Sequence, residues 1–392
     1  MANEEKKALI QRHATAISTG IERRSSPVIA RMTRDVLARA QTQTLSAARF
    51  RIGEYELREP DYRQILDWAD ELGLAPVKVL GCLANSRYQP YAWRSRQDRN
   101  PIYFELVDGA IRSLVWDFDE LGLIPSRWRD GLVIRRLVFI GDWPVSTIAL
   151  APGLTPLEVL VCEGIKLMGL DLSSMPRLTL LYCSNNSLTR LNFSSVPRLT
   201  WLDCGRNSIT ELDLSQVPSL IELDCSANSL TKLDLSPVLA LRELDCGGNE
   251  LTELDLCPLP GLTRLICWGN KLTQLIISSE GLTELDCSSN PLTELDLSLA
   301  PQLNRLDCSD NPLLTELDLF SLPALTILHC SYNQFTELDL SPVAGLTELI
   351  CDAGLRVFRA PKALKCAGAI IRDVDHWAVV APAASDFYDD PF

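Results

Sequence analysis

Ten of the thirteen cysteines recur at almost one interval. Cys162, Cys183, Cys204, Cys225, Cys246, Cys267, Cys287, Cys308, Cys330 and Cys351 are separated by 21, 21, 21, 21, 21, 20, 21, 22 and 21 residues. A leucine precedes each by five positions, from Leu157 to Leu346. An asparagine follows eight of them by three positions: Asn186, Asn207, Asn228, Asn249, Asn270, Asn290, Asn311 and Asn333. A representative unit, residues 220–240, reads LIELDCSANSLTKLDLSPVLA. Such a period forces one small element to repeat and stack, because no unit of this size can bury its apolar side alone.

The order within a unit follows from strand and turn physics. In LTELDC the Leu and Cys side chains alternate to the inside of a short strand and the residues between them face out. Successive units then pair as parallel strands. The asparagine falls where the chain turns, and its amide can both donate to and accept from buried loop backbone. The second half, LTELDLS, alternates again and is expected to run extended along the outer side. Pro176, Pro197, Pro218, Pro260 and Pro301 mark the return turn. The short interval after Cys267 and the long one after Cys308 are expected to fall in turns and leave the strand spacing intact.

The pattern LxxLxCxxNxL resembles the leucine-rich-repeat family, and within it the bacterial cysteine-ladder type with 21-residue repeats found in internalin-like surface proteins. The resemblance covers about residues 155–355. It does not extend to secretion or wall-anchoring segments. It implies an α+β chain whose main body is a leucine-rich-repeat solenoid, with parallel strands on a concave face and a mostly extended outer side. It implies protein binding on the concave face, but no particular partner.

The flanks carry no such period. Residues 1–132 are expected to form a small helical N-terminal domain, with helices at 4–18, 27–49, 60–73 and 101–121 and prolines as breakers. ILDWADELGLAP at 65–76 and LVWDFDELGLIP at 114–125 echo each other, as two helices ending near Gly73 and Gly122. Residues 133–355 are read as the solenoid. Its degenerate first unit, 133–154, places Leu137 and Phe139 inward and Asp142 at the asparagine position. Residues 356–380 are expected to cap the stack, with Cys366 a cap residue, and 381–392 to form a flexible tail. Cys82, Cys257 and Cys366 are off the ladder.

Charge is split between the two parts. Of the net −14, residues 1–136 carry 22 basic and 18 acidic residues, and the remainder 15 and 33. The acidic majority disfavours nucleic acid and favours a basic protein partner. No run of 18 apolar residues suggests a membrane span, and no signal peptide is visible, so a cytoplasmic bacterial location is expected. Delivery into a host cell is the alternative. Oligomeric state stays open.

The ladder cysteines are read as small core hydrophobes rather than as metal ligands or redox thiols, because one thiol per rung does not converge on a site. The candidate partner-binding residues are outward ones: Tyr182, Trp201, Asp203, Arg206, Asp224, Asp245, Arg264, Trp268, Asp286, Arg305, Asp307, His329 and Tyr332. Exposed Trp, Tyr and Arg are what interaction hot spots use. The aspartates form either an acidic strip for a basic partner or an inherited repeat letter. Only His13, His329 and His376 are available for acid–base work, and none lies in a nucleophile, zinc or phosphate-loop motif. The expectation is therefore a non-enzymatic interaction module without cofactor or metal. A small activity in the N-terminal domain is kept as a further alternative.

Overall fold

The computed structural model describes residues 49–85, 104–117, 121, 131–141, 147–149, 155–352, 355–358, 365–367, 370–373 and 376–379. The helices expected at 4–18 and over most of 27–49, the turn at Asp142 and the tail 381–392 lie outside them. The chain divides into two compact units, residues 1–143 with 150–157, and residues 144–149 with 158–392.

In the first unit, β1 (Arg49–Ile52) and β2 (Tyr55–Arg58) form an antiparallel hairpin turning at Gly53, whose φ is 59°. The chain enters α1 (Glu59–Leu72) directly, with proline in its first turn. The helix ends where expected. Gly73 is left-handed, with φ 63°, and Leu74 N–H donates to the Ala69 carbonyl. Helix α2 (Pro76–Asn85) follows. Strands β3 (Phe104–Val107) and β4 (Ala110–Asp117) form a second hairpin, and β4 pairs in parallel with β5 (Arg136–Ile140).

Within the helix expected at 101–121, residues 104–117 are therefore a hairpin, and the described part of the unit adds strands to the helices α1 and α2. Asp108 and Gly109 make the hairpin's turn with φ of 51° and 74°, and pairing on both sides of β4 outweighs local helical preference. The echo between 65–76 and 114–125 does not hold at its start, since Ile65–Trp68 lie in a helix and Leu114–Asp117 in a strand. Asp61, fully buried, ties α1 to β4 by accepting from Ile111 N–H at 2.9 Å. Trp68 of α1 and Trp116 of β4 meet edge to face at 5.0 Å.

The second unit is a stack of coils. Its strands are Val159–Val161, Leu180–Tyr182, Trp201–Asp203, Glu222–Asp224, Glu243–Asp245, Arg264–Ile266, Glu284–Asp286, Arg305–Asp307, Ile327–His329 and Glu348–Ile350. All pair in parallel, one per coil and in unbroken register. Lys365–Ala367 extends the ladder once more and sets Cys366 opposite Leu349. The central Leu of each strand and every ladder Cys are buried, as the alternation requires.

The outer side is closed by turns more than by sheet. In most coils two consecutive i→i+3 bonds make the return, as in Val238 N–H to Leu235 O and Leu241 N–H to Val238 O. The short coil after Cys267 keeps only the second, Leu282 N–H to Ser279 O. There Ser278 and Ser279 hydroxyls donate to the Leu256 and Leu259 carbonyls of the preceding coil, at 2.8 and 2.5 Å. The long coil absorbs its extra residue at Pro312–Leu313, directly after Asn311. Both irregularities thus fall in turns, and the strand register passes through them unchanged. The stack ends in Ile370–Asp373, parallel to Arg356–Phe358, and in His376–Val379, which returns antiparallel and occupies that sheet's edge. Among the described residues, no helix is long and apolar enough to cross a membrane.

Candidate functional site

The interior columns of the stack are chemically quiet. Each described ladder cysteine is a free thiol. Burial, and then neighbouring thiols and carboxylates, push Cys183, Cys204, Cys225 and Cys267 well above the ordinary thiol range. A thiol held neutral is neither nucleophile nor metal ligand. Among the described residues, no group of three or more His, Cys, Asp or Glu could hold a metal ion.

The asparagine column is fully employed. Asn270 Nδ2 donates to the carbonyls of Cys246, Cys267 and Trp268, at 3.0, 3.1 and 3.2 Å. Its Oδ1 accepts from Leu251 N–H at 3.0 Å. One side chain thereby joins two coils and satisfies four buried backbone groups.

The aspartate column on the strand face has a role that reading it for charge alone missed. Each carboxylate accepts the backbone N–H two residues on. Asp203 takes Gly205 at 3.3 Å, Asp224 Ser226 at 3.0 Å, Asp245 Gly247 at 3.1 Å, Asp286 Ser288 at 3.0 Å and Asp307 Ser309 at 3.0 Å. These are Asx turns that lead the chain out of the strand. The signal was present in sequence as Ser or Gly two places after each Asp. Return-side aspartates do the same, as Asp213 with Ser215 and Asp296 with Ser298, both at 2.9 Å. The two readings of the acidic ladder thus gain a third: the recurring Asp is a local backbone cap.

The second residue after each ladder cysteine from Cys162 to Cys330 is left-handed. Gly164, Asn185, Gly248, Gly269 and Asp310 suit that conformation, which Gly, Asn and Asp tolerate. Arg206, Ala227, Ser289 and Tyr332 do not, yet hold φ of 52°, 49°, 52° and 58°. Tyr332 is also 68% exposed. Its N–H and that of Asn333 donate to the two oxygens of Asp352, at 2.8 and 3.2 Å, fixing the turn.

The remaining candidates are spread along the ladder. Tyr182 and Trp201 lie on adjacent rungs with ring centroids 5.7 Å apart, both half-buried. Trp268 packs against the preceding coil: any side chain at Gly247 would collide with its indole. Arg264 Nε donates to Glu284 Oε2 at 2.9 Å, and Arg305 Nε lies 3.9 Å from Oε1 of the same carboxylate. His329 stands between two carboxylates, Nδ1 3.3 Å from Asp307 Oδ2 and Nε2 3.1 Å from Glu348 Oε1. Burial opposes its charge, but hydrogen bonds to Asp307 and Glu348 outweigh that and raise its pKa. Asp307 is conversely held low: burial raises it, and the bonds from His329 and Ser309 prevail. Desolvation raises Asp286. From the coil of Trp201 to that of Tyr332 is six rungs, about 29 Å at strand spacing. The candidates form a strip and do not converge on a reaction centre.

No protein-family model matches the chain, and no curated protein does. Solved structures match the repeat. The leucine-rich-repeat domain of APL1 is 20% identical, covering 68% of this chain and 77% of that one, with a TM-score of 0.53. The Leptospira interrogans leucine-rich-repeat protein LIC12759 is 22% identical, covering 61% and 73%, with a TM-score of 0.51. The functional domain of InlJ from Listeria monocytogenes, which includes a cysteine ladder, is 37% identical, with a TM-score of 0.48. That match covers 57% of this chain and 56% of the InlJ chain. The fold of residues 155–352 is that of a leucine-rich-repeat solenoid, built here on a ladder of cysteines.

Proposed function

We propose that the solenoid is a non-enzymatic protein-binding module whose partner lies along the outward face of the strand ladder. The observation that carries this is Tyr332. A large aromatic is kept exposed in a left-handed turn where most other coils use Gly, Asn, Ser, Asp or Ala. Left-handed backbone costs a non-glycine residue about 1 kcal/mol, so such a side chain is retained for something other than stability. Arg206 repeats the arrangement near the other end of the strip, beside the Tyr182–Trp201 pair. Between them run Glu222, Asp224, Glu243 and Asp245, which suit a basic partner. The free thiols of the ladder suit a reducing compartment such as the bacterial cytoplasm.

The test is a quantitative pull-down from cell extract, comparing wild type with Trp201→Ala, Tyr332→Gly and the double variant, each first shown to be folded. Proteins held by the wild type should be recovered about fivefold less by each single variant, as expected of hot spots worth over 1 kcal/mol. Equal recovery by a folded double variant rejects the assignment.

A further inference from the structure

On the return side, three positions follow a rule with few exceptions. The first is acidic, as at Asp213, Asp234, Asp255, Asp296, Asp318 and Asp339. Two residues later stands a serine: Ser173, Ser194, Ser215, Ser236, Ser298 and Ser341. The next is small or polar, as at Gln216, Ser321 and Pro342. Three consecutive coils break the rule with apolar residues: Ile276 at the acid, Leu299 at the polar place and Phe320 at the serine. They are 61%, 51% and 78% exposed. Two of these coils also carry the length irregularities.

The core does not require these side chains, because Ile277, Leu297 and Leu319 beside them already fill it, at 2%, 3% and 3% exposure. Their placement brings them to one patch. Ile276 is in register with Asp296, and Leu299 is a central residue of the turn closed by Ala300 N–H to Leu297 O. Phe320 is a central residue of the equivalent turn on the next coil, closed by Leu322 N–H to Leu319 O. Coils stack about 5 Å apart, so the three lie close together on adjacent coils of the return side. Around them Glu294, Asp296, Glu316 and Asp318 are exposed. Asp296 is held low by hydrogen bonds from the Ser298 backbone and hydroxyl, and so stays ionised. The segments 272–279, 292–300 and 314–322 contain no Lys or Arg.

We propose that this patch is a second docking surface, separate from the strand face, and that it takes the apolar side of a basic amphipathic helix of a partner protein. Ile276, Leu299 and Phe320 meet the helix's apolar stripe, and the carboxylates meet flanking Lys or Arg. Charge selects this occupant. An anionic membrane is repelled by the same carboxylates, and a second copy would set two acidic faces together.

The test uses the full chain and a fluorescent amphipathic Leu/Lys helix of about 18 residues, long enough to be helical when bound. Its Leu/Glu counterpart is the control. The variant Ile276→Asp/Leu299→Gln/Phe320→Ser installs residues that other coils use, so its fold is preserved; Phe320→Ser alone serves if it is not. Wild type should bind the Leu/Lys peptide, and less tightly as salt rises. The triple variant should bind about tenfold more weakly or worse. Trp201→Ala should leave this binding unchanged, which separates it from the strand-face reading. Equal binding by the triple variant, or equal binding of the Leu/Glu peptide, overturns the proposal. So does self-association of the wild type that the variant abolishes, since the occupant is then a second copy.

Discussion

On the strand side of each coil, the Leu-x-Cys segment, with Asp at the middle place in five coils, is held from several directions. Parallel backbone bonds join it to both neighbours, its Cys is buried, and in most coils an asparagine three residues on ties its carbonyl to that of the preceding coil. On the return side, Leu-Asp-Leu ends in the same Asx turn, but closure comes mainly from local i→i+3 bonds within one coil. The dense side admits no change of length across ten units. The local side absorbs one deletion and carries the exposed apolar exceptions Ile276, Leu299 and Phe320. Where constraints run between coils, a deviation disturbs two coils at once; where they run within a coil, it stays local.

Substitutions can break that contrast. The largest effect is expected for Asn270→Ala, which leaves buried carbonyls of two coils and the Leu251 N–H without a partner; a loss of about 3 kcal/mol is expected in denaturant unfolding. The return-side cap Asp296→Ala loses only exposed turn bonds from Ser298 and should shift the midpoint little. Comparable losses would show the two sides to be equally constrained. A smaller effect of opposite sign is expected for Tyr332→Gly and Arg206→Gly. Each relieves a left-handed backbone and should gain about 0.5–1 kcal/mol. A loss instead would mean that those side chains stabilise the coil, and the argument from strain fails.

The smallest effect is electrostatic. Asp307 and Glu348 raise the folded-state pKa of His329 above its ordinary 6.5, against the pull of burial. A raised pKa stabilises fully below the unfolded value and fades as pH rises through the folded one. Wild type should therefore lose more stability than His329→Asn between about pH 6 and pH 9. Parallel profiles would remove His329 from the account.

Legibility followed the same division. The inward Leu, Cys and Asn columns were readable because burial enforces one residue type at one period. The aspartate column was visible, but its role in capping the strand exit was not, since that partner is a backbone N–H two residues on. The left-handed column was marked by Gly164, Asn185, Gly248 and Gly269, a signal that Arg206, Ala227, Ser289 and Tyr332 interrupt. Of the thirteen outward candidates, Trp268 proved to pack on the preceding coil, and Arg264 and Arg305 share Glu284. Ile276, Leu299 and Phe320 were not legible, because isolated apolar letters in an apolar repeat mark a surface only once their exposure is known. In the first unit, helix α1 and its Gly73 stop were legible from local pattern. Strand β4 was not, because LVWD takes its state from partners distant in sequence, although Asp108-Gly109 is a hairpin turn signal.

The central claim is that the cysteine ladder is architecture and holds no chemistry of its own. Timed thiol alkylation of the native protein, read cysteine by cysteine by mass spectrometry, tests it most directly. Cys257, exposed though its thiol is raised by Asp255, should be modified in the native state. The ten ladder cysteines, from Cys162 to Cys351, should stay protected until the solenoid unfolds, and then react together. Modification of any ladder cysteine in the folded protein at a rate approaching that of Cys257 would contradict the account.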